Sequence, residues 1–113
     1  MAKALNFNTV KKRYWSVTLA DDKHTTLLIG MPTKAIMAQL LEIHDRVKEA
    51  EGGDLSLELL EDMYAVCAAV MSRNKAGVRV EQSYLENLFD TDDIQLFFES
   101  YIEFVGEETN EKN

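Results

Sequence analysis

Three aspartates near the C-terminus have the spacing that comes nearest to a metal site, in the segment FDTDDIQLFFESYIEFV at residues 89–105. A calcium loop of the EF-hand type needs oxygen ligands at its positions 1, 3 and 5, followed by a glycine and, further on, a glutamate. With Asp90 and Asp92 as the first two ligands, Ile94 and Gln95 occupy the positions that need an oxygen ligand and a glycine. The pattern therefore does not fit a calcium loop.

The same aspartates fit the start of a helix. Asp90 or Thr91 can cap the free amide groups of a first turn, and Asp92 and Asp93 then lie near the positive end of the helix dipole. We therefore expect a helix cap here and no metal.

The remaining reactive side chains are scattered. His24, His44 and Cys67 have no ligand spacing, and Cys67 lies in an alanine-rich apolar segment that is typical of an inert buried thiol. The glycine pair of EGGD at residues 51–54 comes after a helix pattern. A phosphate-binding loop instead comes directly before the N-terminus of a helix, so this glycine pair does not indicate a phosphate site. The sequence predicts no catalytic residue, metal or cofactor, and hence a protein that is not an enzyme.

Composition and charge limit the partners of the chain. It has 113 residues and a net charge of −8, which disfavours nucleic acid. Residues 1–48 hold eight Lys and Arg against four Asp and Glu, and residues 49–113 hold four against sixteen. The longest apolar run is too short for a membrane span, and no secretion signal is visible, so we expect a cytoplasmic protein.

The hydrophobic pattern predicts an α+β fold that is mainly α. Residues 13–19 alternate, with Trp15, Val17 and Leu19 on one face, and residues 25–30 form the returning strand of an N-terminal hairpin. Four helices at about 33–50, 55–73, 82–89 and 92–105 should pack against this hairpin.

The second helix is apolar over most of its circumference and should be the buried central element. Its most buried residues are expected to be Leu59, Met63, Val66 and Val70. We divide the chain into a flexible lead-in at residues 1–12, a single domain at 13–106 and a disordered acidic tail at 107–113.

The last helix carries more aromatic residues than one buried stripe requires. Phe97, Phe98, Tyr101 and Phe104 cover two of its faces. We expect some of the four to stay accessible and bind a partner, and the alternative is that all four belong to the core. Trp15 at the hairpin edge is the next candidate for the docking site.

The order of these elements resembles the tail assembly chaperones of long-tailed (siphovirus-type) bacteriophages, particularly those that infect Gram-positive bacteria. The resemblance covers about residues 13–105 and rests on three segments: VTLADDKHTTLLIGMPTK, SRNKAGVRV and LENLFDTDDIQLFFESYIEF. Glu81 departs from the family, in which Thr or Ser often caps the third helix.

The resemblance implies a function in virion assembly. Such chaperones bind the aggregation-prone tape measure protein in the host cytoplasm, keep it soluble, help the tail tube protein to polymerise around it, and are absent from the mature virion. Two alternatives stay open, a generic small helical adaptor or regulatory domain of a phage or prophage, and a small enzyme with an unrecognised site.

Self-association is a further expectation. The hairpin should have open edges, and the two parts of the chain differ in the sign of their charge. Edge pairing or docking of unlike charges would give weak, salt-sensitive homo-oligomers through a heterologous contact.

Overall fold

In the computed structural model, which describes residues 4–50 and 55–110, a two-stranded hairpin precedes four helices. The strands are β1 (Trp15–Thr18) and β2 (Thr26–Ile29), and the helices are α1 (Lys34–Glu49), α2 (Leu57–Met71), α3 (Gln82–Leu88) and α4 (Thr91–Asn110). The predicted α+β class, mainly α with an N-terminal hairpin, is confirmed. No helix within these residues is long and apolar enough to span a bilayer.

The two strands pair antiparallel, with Trp15 opposite Ile29 and Thr18 opposite Thr26. Leu19, Leu27 and Ile29 are buried, whereas Ser16 and Thr18 on the other face are exposed. This alternation places one face of the hairpin on the core, as the sequence predicts.

Helix α2 is the central element, and it packs against α1, α3, α4 and β2. Its residues Leu59, Met63, Val66 and Val70 are at most 4% exposed, so the predicted core positions are confirmed. The reason is that the apolar residues of α2 cover most of its circumference. Each neighbouring element can therefore bury a different stripe of α2.

Side-chain caps fix where three helices begin. Thr33 accepts a hydrogen bond from the amide of Ile36, and Ser56 accepts one from the amide of Leu59. At α4, Asp90 Oδ1 accepts from the Asp93 amide at 2.8 Å while Asp93 Oδ2 accepts from the Asp90 amide at 3.1 Å. This reciprocal capping box confirms the helix-cap interpretation of the aspartates.

Helix α2 ends at Met71, with Ser72 as a right-handed C-cap, close to the predicted end at residue 73. One predicted helix end is wrong. Helix α4 continues through Gly106 to Asn110, because an isolated glycine lowers helix propensity by only about 1 kcal/mol and does not by itself end a helix. Residues 1–3 of the predicted lead-in and 111–113 of the predicted tail lie outside the described residues.

Candidate protein-binding surfaces

Trp15 and three residues of α4 form an aromatic cluster beneath the hairpin. The Trp15 ring lies 5.5 Å from Phe97, 5.8 Å from Tyr101 and 5.8 Å from Phe104, measured between ring centroids. Within α4, Tyr101 lies 6.3 Å from Phe97 and 6.1 Å from Phe104. These separations are typical of aromatic pairs that stabilise a core.

The prediction that some of these aromatic side chains stay accessible is wrong. Phe97, Phe98, Tyr101 and Phe104 are 6%, 1%, 0% and 9% exposed. The physical reason is that the hairpin covers the face of α4 that α2 leaves free, and the half-buried Trp15 fills the space between them. The second aromatic face of α4 therefore packs inside the domain.

Tyr101 is held at the bottom of this cluster by its hydroxyl group. The hydroxyl donates a 2.8 Å hydrogen bond to the carbonyl oxygen of Gly30, just after β2. Burial raises the pKa of Tyr101 well above its ordinary value, so the hydroxyl stays protonated and remains a donor. This bond fastens α4 to the end of the hairpin.

The segment SRNKAGVRV, residues 72–80, is organised by two polar side chains. Asn74 is 8% exposed, and its amide group donates to the carbonyl oxygens of Met71 and Val78 and accepts from the amide of Val78. The Ser72 hydroxyl donates to Ala68 and accepts from the amide of Val80. Sequence reasoning missed this role of Asn74, although an Asn followed by Gly77, here at φ +75°, was a turn signal.

The same segment closes one edge of the hairpin. The amide of Gly30 donates to Arg73 at 3.0 Å, and the amide of Lys75 donates to Leu28 at 2.8 Å, which forms an antiparallel bridge between Ile29 and Asn74. The expectation that both hairpin edges are open is therefore wrong for β2. The outer edge of β2 is closed by backbone pairing with residues that are distant in sequence. No local sequence pattern encodes such pairing.

A groove of about 600 Å³ lies between the hairpin turn, residues 78–81 and α3, and we call it the hairpin–α3 groove. Its apolar residues include two that are largely exposed, Val78 at 51% and Tyr84 at 42%. The buried side chains of Leu19, Leu27 and Val80 also line it. An apolar floor with an exposed rim suits the side chains of a partner helix.

Asp21 fixes the shape of this groove at the hairpin turn. Its carboxylate accepts from the amide of Thr25 at 2.8 Å and from the Thr25 hydroxyl at 2.6 Å. The Tyr84 hydroxyl donates to the same carboxylate at 3.2 Å. The bonds from Thr25 lower the pKa of Asp21, and together these contacts connect the hairpin turn to α3.

A second groove, of about 470 Å³, is basic. It lies beside the closed edge of β2, and its charged lining residues are Lys12, Arg13, Arg73 and Lys75, with no carboxylate among them. The Lys75 ammonium group stands 5.5 Å from the centre of the Tyr14 ring, and Arg73 Nε donates to the carbonyl oxygen of Met31 at 2.9 Å. The lining of this groove is therefore basic, although the net charge of the chain is negative.

The candidate catalytic and metal-binding side chains stay apart. Cys67 is 1% exposed, and burial raises the pKa of its thiol far above the ordinary value. His24 lies in the hairpin turn with φ 52°, and His44 lies on α1. Among residues 4–50 and 55–110, no three His, Cys, Asp or Glu side chains are grouped so that they could hold a metal ion.

Comparison of the chain with models of protein families, with curated proteins and with solved structures finds no match.

Proposed function

We propose that this chain is a phage tail assembly chaperone, which binds and solubilises the tape measure protein and assists assembly of the tail tube around it. The hairpin–α3 groove is the observation that carries the proposal. Two of the three segments on which the resemblance rests line that groove, the first through Leu19 and Leu27 and the second through Val78 and Val80. The aromatic residues of the third segment hold the hairpin in place instead.

The groove offers the contacts that a long helical client needs. A client helix presents apolar side chains at i, i+3, i+4 and i+7, and a groove of this kind buries such a row while polar residues remain at its rim. In the hairpin–α3 groove, Val78 and Tyr84 supply exposed apolar surface, and Asp22, Lys23 and Arg79 lie beside them. The net charge of −8 favours the solubility of such a complex.

Co-expression with the tape measure protein of the same phage or prophage genome tests this proposal. The wild-type chain should keep the tape measure protein in the soluble fraction, and Val78→Asp, which puts a charge into the groove, should lose that effect. Leu57→Asp is the matched control, because Leu57 is 74% exposed and does not line the groove. An insoluble tape measure protein beside the wild-type chain would reject the proposed function. Equal solubility with both variants would reject the hairpin–α3 groove as the binding site.

The proposal also places the chain in the host cytoplasm and outside the mature virion. Mass spectrometry of purified virions should detect the tail tube and tape measure proteins and not this chain. Finding the chain at a fixed ratio to the tube protein would instead identify a structural component of the tail.

A further inference from the structure

The outer edge of β1 carries backbone groups that nothing in the described structure pairs. In a strand, the N–H and C=O of one residue point to the same side, and successive residues alternate. Leu28 and Gly30 bond outward to residues 73–75, so Leu27 and Ile29 must bond to β1. Their partners across the ladder are Val17 and Trp15.

It follows that Ser16 and Thr18 direct their backbone groups away from β2. Among residues 4–50 and 55–110, no backbone hydrogen bond outside the regular elements reaches Ser16 or Thr18. Both side chains are exposed as well. The result is a short edge that can accept a further strand.

The residues before and after β1 indicate which strand fits. In the sequence KKRYWSVTLADD, Lys12 and Arg13 precede β1, and Asp21 and Asp22 follow it. A basic flank usually discourages edge pairing with other chains. A second copy of the same segment, running antiparallel, brings the acidic flank against the basic one.

We propose that this chain forms a two-fold dimer in which β1 pairs antiparallel with β1 of a second copy, with Val17 on the symmetry axis. Residues at equal distances before and after Val17 then face each other, so Ser16 lies opposite Thr18 of the second copy. In this register all outward backbone groups of β1 find partners.

The same register also matches the charges. Beyond the strand ends, Lys12 lies toward Asp22 in the hairpin turn of the second copy, and symmetry repeats this approach at the other end of the strand. An axis through Ser16 or Thr18 would instead place Lys12 opposite Ala20 or Arg13 opposite Lys23. Because the contact is isologous, it closes as a dimer and does not extend into filaments.

A cysteine at the axis tests the pairing directly. Residues on a two-fold axis in a pair that is not hydrogen-bonded have Cα atoms about 4.5 Å apart, within the range that a disulfide spans. Val17→Cys should therefore form a disulfide-linked dimer under mild oxidation. Leu28→Cys on β2 is the control, because three strand spacings of about 4.8 Å would separate its two copies. Cys67 is buried and should not interfere.

A charge exchange tests the register independently. Lys12→Asp and Asp22→Lys should each raise the dimer dissociation constant by roughly tenfold, measured by sedimentation equilibrium at low salt. The double variant restores unlike pairs across the axis and should recover most of the affinity. A monomer at all concentrations, cross-linking of Leu28→Cys as efficient as that of Val17→Cys, or a double variant weaker than both single variants would overturn the proposal.

Discussion

The hydroxyl of Tyr101 donates a 2.8 Å hydrogen bond to the carbonyl oxygen of Gly30, and both residues are buried. Tyr101→Phe should destabilise the fold by about 1–3 kcal/mol, because it leaves a buried carbonyl without a donor. Urea unfolding followed by circular dichroism measures this. Tyr84→Phe is the control, since Tyr84 is 42% exposed and its carboxylate partner can turn to water. Equal midpoints for the two variants would contradict the importance of this bond.

Asn74 makes three hydrogen bonds to backbone groups around the end of α2. Asn74→Ala should lower the free energy of unfolding by roughly 2–4 kcal/mol, because it leaves buried backbone groups unsatisfied. Asn87→Ala offers a matched comparison on an exposed helix surface, where one bond to Ser83 is lost. Thermal denaturation distinguishes them, and a loss for Asn74→Ala no larger than for Asn87→Ala would show that the segment holds its shape without this side chain.

The aromatic residues of α4 should behave as core. Phe98 is 1% exposed, and Phe98→Ala should cost about 3–5 kcal/mol by removing buried surface and leaving a cavity. Leu96→Ala on the same helix should cost little, since Leu96 is 67% exposed. A folded Phe98→Ala variant with the wild-type melting temperature would revive the interpretation of these residues as a docking surface.

Cys67 should be protected from alkylation in the native protein. Its thiol is buried and its raised pKa keeps it protonated, so iodoacetamide at pH 8 should modify it only when the protein is unfolded in urea. Rapid labelling without denaturant, detected by mass spectrometry, would mean that α2 opens locally.

The raised pKa of Cys67 also makes the stability of the fold depend on pH. The unfolded thiol ionises near pH 8.5, whereas the folded thiol stays protonated far above that value. The contribution of this thiol to stability should therefore be constant below about pH 8.5 and fall as the pH rises further. Unfolding free energies from pH 7 to 10 measure the slope. Cys67→Ala should reduce that slope, and an unchanged slope would assign the alkaline loss to other groups.

Local patterns in the sequence predicted the elements well. The apolar circumference of α2 identified its core, and the spacing of Asp90 and Asp93 identified a helix cap, because both signals depend on residues a few positions apart. The surplus of aromatic residues on α4 was also visible in the sequence. The burial of these residues could not be predicted, because the side chain that covers them is Trp15, more than eighty positions earlier in the chain.

The groove and the closed strand edge could not be predicted for the same reason. Residues 73–75 have no strand pattern of their own, and they pair with β2 only because the end of α2 brings them there. The hairpin–α3 groove likewise exists only between segments that are distant in sequence.

The fastening of the hairpin by Tyr101 has a consequence for synthesis on the ribosome. A two-stranded hairpin is marginal alone in water, and its stabilising partners lie at residues 73–75 and on the later turns of α4. The hairpin leaves the ribosome before these partners and is therefore among the last elements to become stable. A nascent chain that stops before α4 should expose Trp15 and the apolar face of the hairpin, and such an intermediate would itself need protection from aggregation.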